Sequence, residues 1–255
     1  MMQEIVSTIK RDYIFNLAKQ GKRVDNRAMD QYRKISVETD WAKTAEGSAL
    51  AKIGETQVLA GVKLQKGMPY ADKPNSGVLM VNSELSPIAS PTFETGPPKE
   101  DAIELARVVD RGIRESKMVD VDQLGITPEE EVWIVFVDLH VLNYDGNLID
   151  TAALAAVSAL CKVTPPEDEA WTLKEFPITQ KPITVTVAKI GDKLMIDPNL
   201  EEESVMDARL SIATIEDGSI CAIQKGGVEP LTLDEIHSAY DLVKAKSKEL
   251  REYVK

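Results

Sequence analysis

The sequence contains few of the residues that form metal sites, disulfides or nucleophilic triads. Among its 255 residues are two cysteines and two histidines. Cys161 and Cys221 lie far apart and form no CxxC pair, so neither a disulfide framework nor a zinc site is expected. His140 and His237 provide almost nothing from which to build a histidine-based metal site or a Ser-His-Asp triad. We therefore predict a protein without metal or other cofactors, located in the reducing cytoplasm.

Long hydrophobic runs and nucleotide-binding motifs are missing as well. The longest apolar run, around residues 152–160, is too short to cross a bilayer, and no N-terminal signal pattern is present. No GxGxxG follows a predicted strand, and neither GxxxxGKS nor GxxxxGKT occurs. We therefore expect no membrane association, no Rossmann fold and no P-loop nucleotide site.

Positive charge is in deficit. The 30 Lys and Arg residues face 42 Asp and Glu residues, which gives a formal net charge of −12. Free-standing nucleic-acid binders are usually basic, because neutralising phosphates releases counterions and drives their affinity. Alone, this chain should bind RNA or DNA poorly. Any such role needs a local basic patch or a partner that brings more positive charge.

One stretch does carry an ordered row of positive charge. Pro97 and Pro98 end the preceding segment, and from Asp101 the apolar residues recur with a helical period near 3.6. The apolar side consists of Ala102, Leu105, Ala106, Val109 and Ile113. The other side carries Arg107, Arg111 and Arg114. Such a row can grip successive phosphates, because each guanidinium presents paired donors to phosphate oxygens.

Ordinary ion pairing is the competing interpretation of the same helix. Acidic residues three or four positions away could neutralise every arginine as a surface pair. The possible pairs are Glu104–Arg107, Asp110–Arg114 and Glu115–Arg111. Spacing alone favours this solvated, ion-paired face.

The remaining patterns predict an α+β chain of two related β-and-α halves, over residues 1–165 and 166–255. Besides the arginine-bearing helix, helices are predicted over 3–19, 151–162 and 233–253. The first should bury Ile5, Ile9, Tyr13 and Leu17, and Thr232 or Asp234 should cap the last. Strands are predicted over 35–41, 48–53, 57–63, 77–82, 132–141, 183–190, 193–196, 208–216 and 219–225. The strand 132–141 should be buried on both faces, and 119–131 should be an acidic connection.

Several segments together resemble the RNase PH family of phosphorolytic exoribonucleases, in register from about residue 21 to the C-terminal helix. The segments are 22–35 (KRVDNRAMDQYRKI), 47–62 (GSALAKIGETQVLAGV), 103–116 and 137–160. Three motifs are similar to those of the non-catalytic RNase PH-like subunit of the archaeal exosome ring. They are 82–91 (NSELSPIASP), 93–98 (FETGPP) and 107–116 (RVVDRGIRES).

The resemblance implies a fold, partners and a role. The fold would be RNase PH-like (ribosomal protein S5 domain 2-like). The chain would alternate with a catalytic RNase PH-like subunit in a hexameric ring, a trimer of heterodimers, which RNA-binding cap proteins join. Arginines of the non-catalytic subunit would hold single-stranded RNA near the partner's phosphate pocket, which implies RNA-binding roles for Arg107, Arg111 and Arg114. Such contacts are blind to base sequence, because phosphates carry none.

The resemblance also implies that this chain lacks catalytic residues. In active relatives an arginine of the phosphate site precedes the Glu of this helix by three residues, and the matching residue here is Asp101. A Gly-Ser/Thr-Arg sequence of active relatives, which cradles phosphate, is replaced by residues 147–149 (NLI), followed by Asp150. Losing one preorganised donor typically costs about 10²–10³ in rate, so losing two guanidiniums should abolish phosphorolysis.

One catalytic element is only altered. Active relatives place two aspartates six residues apart, which match Asp197 and Glu203, and a further Asp position falls near Arg209. An active phosphate-dependent 3′-to-5′ exoribonuclease that uses Asp197 and Glu203 is therefore the alternative function. The residues by themselves favour a turn over 197–199 and a solvated acidic helix start over 201–203. A plain scaffold whose arginines never meet RNA is the third possibility.

A second basic cluster lies near the N-terminus. It consists of Lys22, Arg23, Arg27 and Arg33. We predict a structural role for it, with Asp25, Asp30 and carboxylates of a subunit interface as ion-pair partners.

Overall fold

The computed structural model describes residues 8–254, beginning with helix α1 (Thr8–Lys19). The predicted start of this helix and its Ile5 fall outside the described residues. Its predicted apolar side is wrong, because Ile9 is 83% and Tyr13 58% exposed. The helix is anchored instead by Ile14 and Ala18, which pack among buried residues of the C-terminal half. These two residues lie at i and i+4 and face a surface that local periodicity cannot reveal.

The N-terminal half is one mixed sheet with two helices. Its elements are β1 (Ile35–Thr39), β2 (Gly47–Ile53), β3 (Thr56–Gly67), β4 (Val78–Leu85), α2 (Glu100–Glu115), β5 (Gly125–Thr127), β6 (Glu131–Asn143) and α3 (Leu148–Leu160). The strand order is β1-β2-β3-β6-β4, with β5 paired to β6. Only β4 runs parallel to its neighbour, because α2 carries the chain over the sheet from β4 toward β6. The predicted acidic connection contains β5 and a 3₁₀ turn (Val121–Leu124).

The C-terminal half is a four-stranded antiparallel sheet with a long helix. Its elements are β7 (Ile183–Ile190), β8 (Lys193–Ile196), α4 (Leu200–Glu203), β9 (Ala208–Thr214), β10 (Ile220–Gly227) and α5 (Leu233–Arg251). The strand order is β10-β9-β7-β8. The β7–β8 hairpin has the bounds that the sequence predicts. The predicted cap of α5 is confirmed at Thr232, which forms a capping box with Glu235.

The larger hydrophobic core of the described residues runs through both halves, and α3 lies inside it. Every residue of α3 except Leu148 is buried. The prediction that β6 is buried on both faces is wrong: its buried residues alternate with partly exposed ones, and His140 is exposed. Alternation is the pattern of a strand with one covered face. No helix within the described range is long and apolar enough to span a membrane. The predicted α+β fold is confirmed.

Candidate functional site

The arginine row lies on the outer side of α2, as its spacing predicts. All five predicted apolar residues of this helix are buried, together with Gly112. Arg107 and Arg114 are therefore exposed, and Arg111 is half-buried beside β10. A 330 Å³ groove between α2 and β10 is lined by Arg107, Arg111 and Gln224, among others. The structure thus places Arg107 and Arg111 in one groove, whereas Arg114 is exposed outside it.

Only Arg114 forms the ion pair that the helical spacing predicts. Its Nη2 lies 2.7 Å from Oδ1 of Asp110 and also donates to the carbonyl oxygen of Leu79 at 2.9 Å. Its Nε donates to Oδ2 of Asp110 at 3.0 Å. Most of the donors of this guanidinium are engaged by the chain itself. Arg114 is therefore the least available of the three for an external anion.

The other two arginines escape the predicted pairing. Within residues 8–254, Arg107 makes no ion pair or hydrogen bond, because Glu104 pairs with Arg209 at 2.6 Å instead. Arg111 donates from Nη1 to Oε1 of Gln224 at 3.1 Å. Among residues 8–254 it forms no ion pair with a carboxylate. Two adjacent guanidiniums on this surface thus keep donors that can bind an anion.

The turn that begins α3 has its backbone donor occupied by the chain's own carboxylate. Asn147 adopts a left-handed conformation with φ of 56°, and its N–H donates to Oε1 of Glu203 at 2.8 Å. The hydroxyl of Tyr144 donates to Oε2 of the same carboxylate at 2.6 Å. Burial raises the pKa of Glu203 above its usual value. Helix N-termini commonly bind phosphate, but at this one the carboxylate of Glu203 already accepts the backbone hydrogen bond.

The space left at this turn is small, and most of the charged side chains that line it are acidic. A cavity of about 40 Å³ is lined by Asp101, Glu104, Glu203 and Arg209, among others. This is little more than the roughly 30 Å³ share of one water molecule. Three carboxylates face one guanidinium there, so an incoming phosphate would meet net negative charge.

Asp197 begins the predicted turn between β8 and α4, and its carboxylate is enclosed by donors. Its side chain is fully buried, and Nη2 of Arg33 and Nη1 of Arg27 lie 2.8 and 2.9 Å from its oxygens. Nδ2 of Asn147 donates to it at 2.9 Å. Burial alone would raise the pKa of Asp197, but the Arg33 guanidinium holds that pKa below its usual value. Asp197 is therefore a charged structural anchor.

The predicted solvated acidic helix start is wrong at Glu202. This residue is 1% exposed, and both its carboxylate oxygens accept hydrogen bonds from Arg23, at 2.8 Å from Nε and 2.5 Å from Nη2. Its Oε2 also accepts from the N–H of Asn199 in a capping box. Glu202 and Arg23 are 179 positions apart, which is why local pattern alone predicted solvent for Glu202 and other partners for Arg23.

The three arginines of the basic cluster, Arg23, Arg27 and Arg33, are bound within the fold, and most of their partners differ from those predicted. Arg27 pairs with Asp25 at 2.6 Å as expected. Oδ2 of Asp30 lies instead 3.8 Å from Nζ of Lys246 on α5. The other partners are carboxylates that lie far away along this same chain. They are Asp145, Asp197 and Glu202.

Asp150 is a buried carboxylate at the junction between the N-terminal and C-terminal halves. The sequence analysis assigned it no structural role. It accepts hydrogen bonds from the hydroxyl of Tyr32 at 2.8 Å and from Nδ2 of Asn147 at 3.1 Å. The N–H and hydroxyl of Thr186 donate to it at 3.0 and 2.7 Å. Burial raises the pKa of Asp150 to about 6. In the described part of the chain, no three His, Cys, Asp or Glu residues converge to hold a metal ion.

Comparison with known proteins gives consistent matches. Two models, of the 3′ exoribonuclease family domains 1 and 2, match residues 31–166 and 181–245. The exosome complex component Rrp42 of Methanosarcina acetivorans is 51% identical, over 98% of this chain and 95% of that protein. Its Pyrococcus furiosus counterpart is 48% identical over 98% and 94%. A solved structure described as an Archaeoglobus fulgidus exosome with RNA bound to the active site superposes with a TM-score of 0.93. Its sequence is 46% identical, with 99% of this chain and 100% of that chain covered.

Proposed function

Because this chain belongs to the 3′ exoribonuclease (RNase PH) family, we propose that it is a non-catalytic subunit of an archaeal-type exosome ring. It pairs with a catalytic RNase PH-like subunit in a trimer of heterodimers and contacts the RNA backbone through Arg107 and Arg111. The observation that carries this proposal is that the exposed Arg107 and the half-buried Arg111 have no carboxylate partner within residues 8–254 of an otherwise acidic chain. The exosome names and titles of its full-length relatives support the assembly.

We propose that the chain is not catalytic because its own carboxylates surround the turn before α3, where a phosphate ion would have to bind. A phosphate nucleophile needs preorganised positive donors at the place where it binds. Here the N–H of Asn147 donates to Glu203, and Asp101 and Glu104 add negative charge beside it. The carboxylate of Asp197 is saturated by arginines. These contacts argue against the alternative in which Asp197 and Glu203 catalyse phosphorolysis.

The RNA contact is proposed to be electrostatic and independent of base sequence. Arg107 and Arg111 lie four residues apart on one helix face, so their forks can meet neighbouring phosphates. Arg114 contributes less, because its guanidinium is already bound to Asp110 and to the carbonyl of Leu79. The catalytic partner supplies the remaining positive charge and the phosphate pocket. Cap proteins of the ring are further proposed partners.

Two measurements on purified components test this function. With single-stranded RNA and phosphate, the chain alone should release no nucleoside diphosphate, whereas its mixture with the catalytic partner should. In the ring, Arg107→Ala with Arg111→Ala should weaken RNA binding and reduce the salt slope of log Kd by about 1.4, about 0.7 per lost phosphate contact.

A matched control keeps the charge change constant. Lys244→Ala with Lys248→Ala removes two exposed positive charges from α5. If both double variants bind RNA as the unmodified ring does, the chain is a scaffold only. If the chain alone releases diphosphates, it is an enzyme.

A further inference from the structure

Glu104 lies within reach of two arginines, and the structure shows which one binds it. On α2, Glu104 precedes Arg107 by three residues, a spacing that favours an ion pair. Instead, its Oε1 lies 2.6 Å from Nη2 of Arg209 on β9. The side chain of Arg209 is 7% exposed, whereas Arg107 faces solvent. The buried guanidinium of Arg209, on the other sheet, binds Glu104, which would otherwise neutralise the charge of Arg107.

We propose that Arg209 is a positioning residue for RNA binding: it holds Glu104 away from Arg107 and so keeps that guanidinium available to phosphate. The inference rests on the proposed contact between Arg107 and RNA. Partly buried charges are screened much less than exposed ones, so Glu104 gains more from Arg209 than from Arg107.

Gly226 on β10 makes room for this arrangement. It is the direct cross-strand neighbour of Arg209. A Cβ at Gly226 would lie 2.5 Å from Nε and 3.0 Å from Cγ of Arg209, so any other residue would displace the arginine side chain. The backbone of Gly226 is not in the left-handed region, so alanine is tolerated by the main chain itself. The side chain of Arg209 can therefore extend toward Glu104 only because residue 226 is a glycine.

Two other carboxylates, those of Asp101 and Glu203, line the cavity beside Arg209, and Glu203 has donors of its own. Its oxygens already accept hydrogen bonds from the N–H of Asn147 and the hydroxyl of Tyr144. Removal of Arg209 therefore leaves Glu203 with two donors. Within residues 8–254, Glu104 has no such second anchor, so it is the carboxylate that can turn toward Arg107.

The test measures affinity of the reconstituted ring for a short unstructured RNA, without phosphate so that the RNA stays intact. Arg209→Met should weaken binding about three- to tenfold, the size of one charge-assisted contact. It should also reduce the salt slope by about 0.7, one phosphate contact. Adding Glu104→Gln should restore both values. Adding Glu115→Gln, which changes the net charge equally on the same helix, should not.

Gly226→Ala tests the same idea without removing a charge, and it serves if Arg209→Met fails to fold or assemble. It should weaken RNA binding in the same direction, and Glu104→Gln should again rescue it. In the otherwise unmodified ring, Glu104→Gln and Glu115→Gln should have equal small effects, because Glu104 is already sequestered. A clearly larger gain with Glu104→Gln, or no loss with Gly226→Ala and Arg209→Met, overturns the inference.

Arg107→Ala separates this inference from the proposed function. In its background, Arg209→Met should cost no further affinity, because the charge that it protects is gone. If Arg107→Ala by itself leaves RNA binding unchanged, the proposed RNA contact is wrong. If Arg107→Ala weakens binding and Arg209→Met does not, only the role of Arg209 is wrong.

Discussion

Arg33 and Arg107 carry the same guanidinium in opposite surroundings. The side chain of Arg33 is 9% exposed and is bound by Asp197 and Asp145 at the junction of the two halves. Arg107 lies on the outer face of α2, and Glu104, its expected partner, is bound elsewhere. One arginine joins parts of the chain, and the other has no ion-pair partner within the described residues. Because both residues are arginines, their different roles come from the carboxylates that the tertiary structure places beside each guanidinium.

Breaking the junction should have the largest effect. Arg33→Met should lower the free energy of unfolding by about 3–5 kcal/mol, because Asp197 would stay buried after losing its main cation. Arg107→Met is the matched control and should change the same quantity by less than about 0.5 kcal/mol. Urea unfolding of both variants measures the difference. Equal losses would contradict the division between a structural and a ligand-facing arginine.

A pH titration should sharpen the electrostatic account of the junction. Burial raises the pKa of Asp150 from 3.8 to about 6, so between these values the folded chain holds a proton that the unfolded chain has lost. This group therefore stabilises the fold fully below pH 3.8, and its contribution is lost as pH rises through about 6. The loss amounts to roughly 3 kcal/mol. Asp197, whose pKa is lowered, acts in the opposite direction and only at more acidic pH.

Asp150→Asn should remove this loss near pH 7 and raise stability there by about 1–3 kcal/mol. The amide oxygen can accept the hydrogen bonds of Tyr32 and the N–H of Thr186. The amide nitrogen can donate to the Thr186 hydroxyl, which can itself donate to Ser211 at 2.8 Å. Chemical unfolding across pH 4–8 measures both chains. A parallel pH dependence in the two would show that Asp150 is not the titrating group.

Single variants within the arginine row should have the smallest effects. Arg107→Ala or Arg111→Ala should each weaken RNA binding to the ring about three- to tenfold. Arg114→Ala should change it less than about twofold, because that guanidinium is already paired with Asp110. Fluorescence anisotropy at several salt concentrations measures the series. A ranking with Arg114 first would mean that ion pairing inside the chain does not control access to phosphate.

Local pattern predicted most elements and the arginine row. The five apolar residues of α2 are buried as the period of 3.6 requires, and the β7–β8 hairpin has its predicted bounds. The family resemblance drew attention to Asp101 and the turn at 147–150. Local pattern failed where a distant element decides burial. Ile14 anchors α1 in place of Ile9, and Glu202 is buried because Arg23 reaches it from the other half.

The amino-acid sequence by itself determined the helices and strands, the family and the face of α2 that carries three arginines. These properties follow from periodicity and from motifs that neighbouring residues carry together. Only the tertiary structure decided which of those arginines are available. Glu104 can reach Arg107 along the helix or Arg209 across the fold, and the second contact prevails because less water screens it. Spacing along the chain cannot rank those two partners, since the screening depends on what is packed around each pair.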